Sequence, residues 1–194
     1  MSQPILTVPN QLTILRMTLA PFLVVLVLQR EFSWALVLFV VAGITDLLDG
    51  VIARRGHQKT TLGTVMDPIA DKILLSASFI VLTWSSGLTT RIPAWLTVLS
   101  LSRDVLILLT AALINLTSGW RIFLPSALGK LSTALQLLTV GLVLLLNALG
   151  AEWRAIEWLF RSVLAAILLS ALHYLYLAST GRGLRARAVE EEDA

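Results

Sequence analysis

The chain has 194 residues, 57% of them hydrophobic and 14% charged, and its mean hydropathy is +0.84. A soluble domain averages about 45–50% apolar and about 25% charged residues, so this composition points to a single integral membrane domain. With no cysteine and only His57 and His173, disulfides, iron–sulfur clusters, thiolate zinc sites and histidine-rich metal centres are excluded.

The first residues, MSQPILTVPN, carry no basic n-region, so the first apolar run is expected to be a retained helix rather than a signal peptide. Crossing a ~30 Å hydrocarbon core takes about 20 mostly apolar residues. Six such spans are expected, near 12–28, 34–53, 62–84, 92–116, 124–150 and 156–177. Basic residues set their orientation. Arg54, Arg55 and Lys59 lie between the second and third spans, Arg121 and Lys130 around the next even-numbered connection, and Arg182, Arg185 and Arg187 after the last. The alternate connections carry mainly Arg30, Arg91 and Arg154. The expected architecture is therefore all-α, a six-helix transmembrane bundle with both termini cytoplasmic. The membrane domain covers 1–181 and a charged cytoplasmic tail 182–194, ending in Glu190, Glu191, Glu192 and Asp193. Trp34, Trp84, Trp95, Trp153 and Trp158 fall near the opposite interface, as an anchoring belt.

Against this background the stretch DLLDGVIARRGHQKTTLGTVMDPIADK, starting at Asp46, stands out. A carboxylate at a helix centre costs about 2.5–3.5 kcal/mol, so ionisable groups inside membrane segments are functional by default. Residues three or four apart share a helix face. Asp46, Asp49, Gly50 and Ala53 thus form one stripe, two carboxylates beside two very small residues. Gly63, Asp67 and Asp71 form a second if the helix continues past Pro68, a residue suited to a first turn and otherwise a kink. Four carboxylates without His or Cys suit Mg²⁺, Mn²⁺ or Ca²⁺ rather than Zn²⁺. Two divalent ions neutralise four aspartates and form a known clamp for displacement at phosphorus. Arg54 can add charge-assisted hydrogen bonds to a phosphate. The residues alone thus point to a cytoplasm-facing, metal-dependent phosphoryl-transfer site without naming the substrate.

The pattern Asp46-x2-Asp49-Gly50-x2-Ala53-Arg54-x8-Gly63-x3-Asp67-x3-Asp71 resembles, without departure, the signature of the CDP-alcohol phosphotransferases. VPNQLTILR at Val8, SRD at Ser102 and GKLSTALQ at Gly129 extend the resemblance over most of the chain. It implies a six-helix membrane fold, dimeric, that displaces CMP from a CDP-linked lipid or alcohol with an acceptor hydroxyl. Carried over by position, Asp46, Asp49 and Asp67 ligate two Mg²⁺ or Mn²⁺ ions, with Asp71 contributing to the second and serving as general base. Gly50, Ala53 and Gly63 make room for the cytidine, and Arg54 faces the diphosphate. The implied partners are CDP-diacylglycerol, an alcohol acceptor and membrane lipids, with no nucleic acid. The implied location is a bacterial plasma membrane.

Within that family, PNQLTILR and MDPIADK resemble the bacterial phosphatidylglycerophosphate synthases, whose acceptor is glycerol 3-phosphate. Arg103 and Lys130 are then the candidate acceptor-binding cations; pairing of Arg103 with Asp104 and snorkelling of Lys130 are the bland alternatives. Ser132 stands where those synthases carry a second lysine, and VLILLTAAL where they often carry another arginine. SRDV and STALQ look as much like the cardiolipin synthases of the same family, which use phosphatidylglycerol. A rival from another class, a small ion or proton-coupled transporter, needs acids spread through the bilayer depth. Here they cluster around one connection.

Overall fold

The computed structural model describes the backbone of residues 8–56, 61–118, 121–123, 127–180 and 184–186, with side chains at 15, 17–45, 72–109 and 127–173. Among the described residues there are six helices: α1 (Val8–Leu28), α2 (Phe32–Gly56), α3 (Thr61–Trp84), α4 (Ala94–Ser118), α5 (Ala127–Leu149) and α6 (Ile156–Thr180). Each matches one expected span. One addition corrects the purely α expectation: β1 (Arg121–Phe123) pairs antiparallel with β2 (Leu184–Ala186), Ile122 opposite Arg185. Both strands lie beyond helix ends, where leftover backbone donors and acceptors can satisfy one another. Three residues are too few to show the alternation that marks a strand. β2 falls inside the stretch expected to be a solvated tail.

The protein is a membrane protein. Among the described residues, α5 and the Ile156–His173 part of α6 are each long and apolar enough to cross a bilayer, while Met17–Leu28, Phe32–Thr45 and Lys72–Trp84 are shorter apolar stretches. The core is mostly apolar, but unlike a water-soluble bundle the outside is apolar too and several polar residues are buried. Leu28, Val41, Leu106, Leu109 and Leu172 are exposed, whereas Ser78, Thr97, Ser100, Gln136, Thr139 and Asn147 are buried. With lipid outside, apolar residues gain nothing by turning inward, and small or hydrogen-bonding residues hold the helices together. Ser78 Oγ donates to the Leu74 carbonyl at 2.8 Å, and the hydroxyls of Thr83 and Thr97 join α3 to α4 at 2.6 Å.

The five tryptophans of the expected belt are all exposed and lie at one end of the bundle. They sit at the starts of α2, α4 and α6, at the end of α3 and in the α5–α6 connection. Arg161 at this end pairs with Glu157 and lies 5.0 Å from the Trp158 ring centre. Helix α5 stops in a left-handed Gly150 (φ 61°), with Ala151 N donating to Leu146 O and Gly150 N to Asn147 O. This is a Schellman cap. Helix α1 ends in the same bond pattern, but with Arg30 at φ 64°. Its guanidinium lies against Gly87 of the α3–α4 connection.

Asn147 fixes the register of α5 against α3 and α4. Its Oδ1 accepts from the Thr89 and Thr90 amides at 2.8 and 3.3 Å, and its Nδ2 donates to the Thr90 and Val143 carbonyls at 2.8 and 2.7 Å. Asn147→Leu removes both halves of this clamp and leaves loop peptide groups unsatisfied. The expected loss is about 2–3 kcal/mol of stability, since each orphaned buried group costs about 1–3 kcal/mol. Thermal denaturation of the purified protein in detergent checks this; a loss below about 0.5 kcal/mol refutes the clamp.

Helix α1 packs against α2 and α3, α5 against α2, α3 and α6, and α4 against α3 and α6. Among the described residues α2 and α3 do not pack on each other directly. Instead α1 and α5 bridge them.

Candidate active site

Helix α2 runs unbroken through Asp46, Asp49, Gly50, Ala53 and Arg54 to Gly56, a little past the expected end. Helix α3 begins at Thr61, so Gly63, Asp67 and Asp71 lie on one continuous helix with Pro68 beyond its first turn. That satisfies the condition on the second stripe. At 1.5 Å per residue the rise is about 4.5 Å from Asp46 to Asp49 and about 6 Å from Asp67 to Asp71. Their side chains, with those of Gly50, Ala53, Arg54 and Gly63, lie outside the described residues. The backbone places the two halves of the motif on the two helices that α1 and α5 bridge, near the end where the α2–α3 connection lies.

The donor chemistry fits a hard cation: four carboxylates and no soft ligand on those two helix segments. Among the described residues no cluster of three or more His, Asp or Glu side chains competes for it.

Toward the tryptophan end, a cavity of about 580 Å³ opens between α2, α3 and α5. Its walls are almost wholly apolar, with Phe39 and Gly43 from α2, Leu74 and Leu75 from α3, and Leu137 and Gly141 from α5. Gly43 is one helical turn from Asp46, and Leu74 one turn from Asp71. The cavity is therefore continuous in depth with the aspartate segment. Among the described residues only Phe39 comes within 4 Å of where a Gly141 side chain would begin, at 3.8 Å, and none comes within 4 Å at Gly43. The two glycines keep this space open.

Beside Asp71 lies a buried ionic cluster. Lys72 of α3 pairs with Asp104 of α4. Arg103 Nη1 donates to the same Asp104 Oδ1 at 2.8 Å, and Arg103 Nη2 to Ser170 Oγ of α6 at 3.0 Å. Charges at membrane depth persist when paired and hydrogen-bonded, and this cluster joins three helices. The pairing anticipated as the bland alternative for Arg103 is thus present. Arg103 Nε is nonetheless buried without a hydrogen-bond partner among the described residues. Among the described residues two cations share one carboxylate, a formal excess of positive charge.

Lys130 is exposed, near the start of α5. The structure therefore does not bring it into the buried cluster with Arg103. Sequence reasoning missed Lys72 and Ser170 as members of that cluster. A lysine next to Asp71 inside an apolar span required a partner, but nothing in the local pattern identified Asp104. Of Ser132 and Gln136, one turn apart on the buried face of α5, the first stands out in the sequence as the position without a second lysine, and the second only as part of GKLSTALQ.

Comparison with known proteins identifies the family. The family model for CDP-alcohol phosphatidyltransferase matches residues 6–177. The chain is 35% identical over 188 residues to human "Cardiolipin synthase (CMP-forming)", covering 87% of this chain and 61% of the human protein. It is 32% identical to the protein of that name from Streptomyces coelicolor, covering 78% and 70%. It is 30% identical to the "CDP-diacylglycerol--glycerol-3-phosphate 3-phosphatidyltransferase" of Bacillus subtilis, covering 72% and 77%. Since the match takes in the motif on α2 and α3 and nearly all of the helical bundle, the chain belongs to the CDP-alcohol phosphatidyltransferase family.

Proposed function

We propose that the chain transfers a phosphatidyl group from CDP-diacylglycerol to the primary hydroxyl of a glycerol phosphate unit, releasing CMP. The observation that carries this is the eight-position motif, borne on two bridged helices directly above an apolar cavity. One lipid substrate needs both environments, because its diphosphate must meet charge while its acyl chains stay in hydrocarbon. The cavity between α2, α3 and α5 takes an acyl chain of that donor.

Asp46, Asp49, Asp67 and Asp71 hold two divalent cations, Mg²⁺ or Mn²⁺, whose chemistry is to neutralise the diphosphate and the departing CMP. Gly50, Ala53 and Gly63 leave space for the cytidine, and Arg54 binds a diphosphate oxygen. Asp71 accepts the proton of the acceptor hydroxyl. The oxygen so freed bonds to the phosphorus that carries diacylglycerol. The bond from that phosphorus to the bridging oxygen breaks, and CMP leaves with that oxygen. Arg103 and Lys130 bind the acceptor's phosphate. We place six spans in a bacterial plasma membrane, the site and both termini in the cytoplasm and the tryptophan belt opposite. The domain extends over 1–181, with β2 returning to pair with β1 and the acidic residues after it forming a charged tail, and the working form is a homodimer.

Glycerol 3-phosphate is the acceptor that PNQLTILR and MDPIADK favour. Phosphatidylglycerol is a second reading, favoured by the ionic cluster. Asp104 already takes up one of the two cationic charges there. A phosphodiester carries one negative charge where a phosphomonoester carries about 1.5–2 at neutral pH.

Purified protein, CDP-diacylglycerol and Mg²⁺ with each acceptor in turn should release CMP and give phosphatidylglycerophosphate or cardiolipin. Chelation should reduce CMP release to background, and added Mg²⁺ or Mn²⁺ should restore it. Release unaffected by chelation overturns the metal reading, and no release with either acceptor overturns the transfer reading.

A further inference from the structure

Helix α5 carries a pair of buried polar residues that no other described residue pairs with. Gln136 is 1% exposed and Ser132 0%. Neither amide atom of Gln136, nor Ser132 Oγ, has a hydrogen-bond partner among the described residues. Their neighbours behave differently. Thr133 and Thr139 turn their hydroxyls back onto carbonyls one turn earlier, Gly129 and Leu135. Buried polar groups in folded proteins are nearly always paired, so an orphaned amide and hydroxyl on one buried face call for a ligand.

Their depth says which ligand. Asn147 binds Thr90, and two residues further on Ile92 N donates to Leu82 O at 3.2 Å, so Asn147 of α5 and Leu82 of α3 lie at about one level. Gln136 is about 16 Å along α5 from Asn147, and Asp71 about 16 Å along α3 from Leu82, both away from the tryptophan end. Gln136 therefore shares a layer with Asp71. Lys72, Asp104, Arg103 and Ser170, linked side chain to side chain, lie in that layer too. Helix α5 packs on both α3 and α6, which brings its buried face beside the helices carrying the cluster. Arg103 contributes a third orphan there, its Nε–H.

Resting on the transfer reading above, we infer that Gln136, with Ser132 one turn away, holds the non-reacting secondary hydroxyl of the acceptor's glycerol phosphate unit and so sets acceptor specificity. The chemistry matches group by group. A primary amide offers both an acceptor and donors, so it can accept a hydrogen bond from a hydroxyl and donate one to its oxygen. The primary hydroxyl lies toward Asp71 and the phosphate toward Arg103, which leaves the secondary hydroxyl for the neutral pair. A cyclitol would need more polar groups than one amide and one hydroxyl supply.

The test uses acceptors differing by that hydroxyl alone: glycerol 3-phosphate against 3-hydroxypropyl phosphate, and phosphatidylglycerol against phosphatidylpropanediol. The two arms distinguish a soluble from a lipid-borne glycerol phosphate. Wild-type protein should prefer the hydroxylated partner by about tenfold or more in kcat/KM in its active arm. Gln136→Met, close in volume but without the amide, should reduce the preference to about twofold or less while KM for CDP-diacylglycerol stays put. Its melting temperature should hold or rise, because the lost amide had no partner to leave behind. Ser132→Ala, the smaller change, should erode the same preference by about threefold. Wild-type protein without the preference, both variants retaining it, or KM for CDP-diacylglycerol rising in step overturns the assignment. Wild-type protein that releases no CMP with any acceptor overturns the transfer reading and this inference with it.

Discussion

Asp71→Asn should lower CMP release by about 10²–10⁴-fold, the range that a positioned general base contributes. Asparagine keeps the shape and a hydrogen-bonding oxygen at that point of α3, so the bundle should remain folded and KM for CDP-diacylglycerol should change little. The loss should therefore fall on kcat. A side chain that served only as a metal ligand would behave differently. Its loss weakens cation binding and is offset by more Mg²⁺, whereas loss of a base is not recovered at any Mg²⁺ concentration. Steady-state CMP release measured across a Mg²⁺ titration separates the two. Full activity in Asp71→Asn sinks the base assignment, and recovery at high Mg²⁺ reduces Asp71 to a ligand. Asp46→Asn provides the contrast, since its defect should shrink as Mg²⁺ rises.

The sequence foretold most of the architecture because two physical periods were written plainly in it. Bilayer thickness sets a length of about 20 apolar residues, and every helix from α1 to α6 lies on a stretch chosen on that basis alone. The helical repeat made Asp46 and Asp49, and then Asp67 and Asp71, legible as pairs. Only Pro68 made the second pair conditional, and the helix begins at Thr61, within a residue of the expected start of that span. The hidden features are those made by residues distant in sequence. Lys72 announced that it needed a partner, but its pairing with Asp104 depends on how α3 packs on α4. Arg103 invited a local explanation through Asp104, and the helix packing added Ser170 from α6. The β1–β2 pair joins segments on either side of the last two helices and has no strand pattern in either partner. Gln136 and Ser132 were visible as polar letters in an apolar helix. That they lack partners among the described residues is a statement about their surroundings, which only the fold supplies.

Asp104→Asn should destabilise the bundle by about 3–5 kcal/mol, the cost of removing one partner from a buried ionic group. Asp104 is the only carboxylate that the described structure gives to Lys72 and Arg103, so its neutralisation leaves two like charges close together at membrane depth. Arg103 is almost fully buried and cannot escape to water; Lys72, with its side chain 30% exposed, can partly do so, which holds the loss within that range. Replacing the whole cluster separates charge imbalance from mere loss of contacts. The triple variant Lys72→Met, Arg103→Met, Asp104→Leu leaves no stranded charge and should regain most of the lost stability, since apolar residues of similar volume often replace buried ion pairs at little cost. On the proposed reading, in which Arg103 binds the acceptor's phosphate, it should remain a poor enzyme. Thermal denaturation in detergent with CMP release on the same samples reads both effects. Asp104→Asn as stable as the parent shows that the two cations do not depend on this carboxylate. A triple variant no more stable than Asp104→Asn shows that specific hydrogen bonds across α3, α4 and α6, rather than charge balance, hold that layer together.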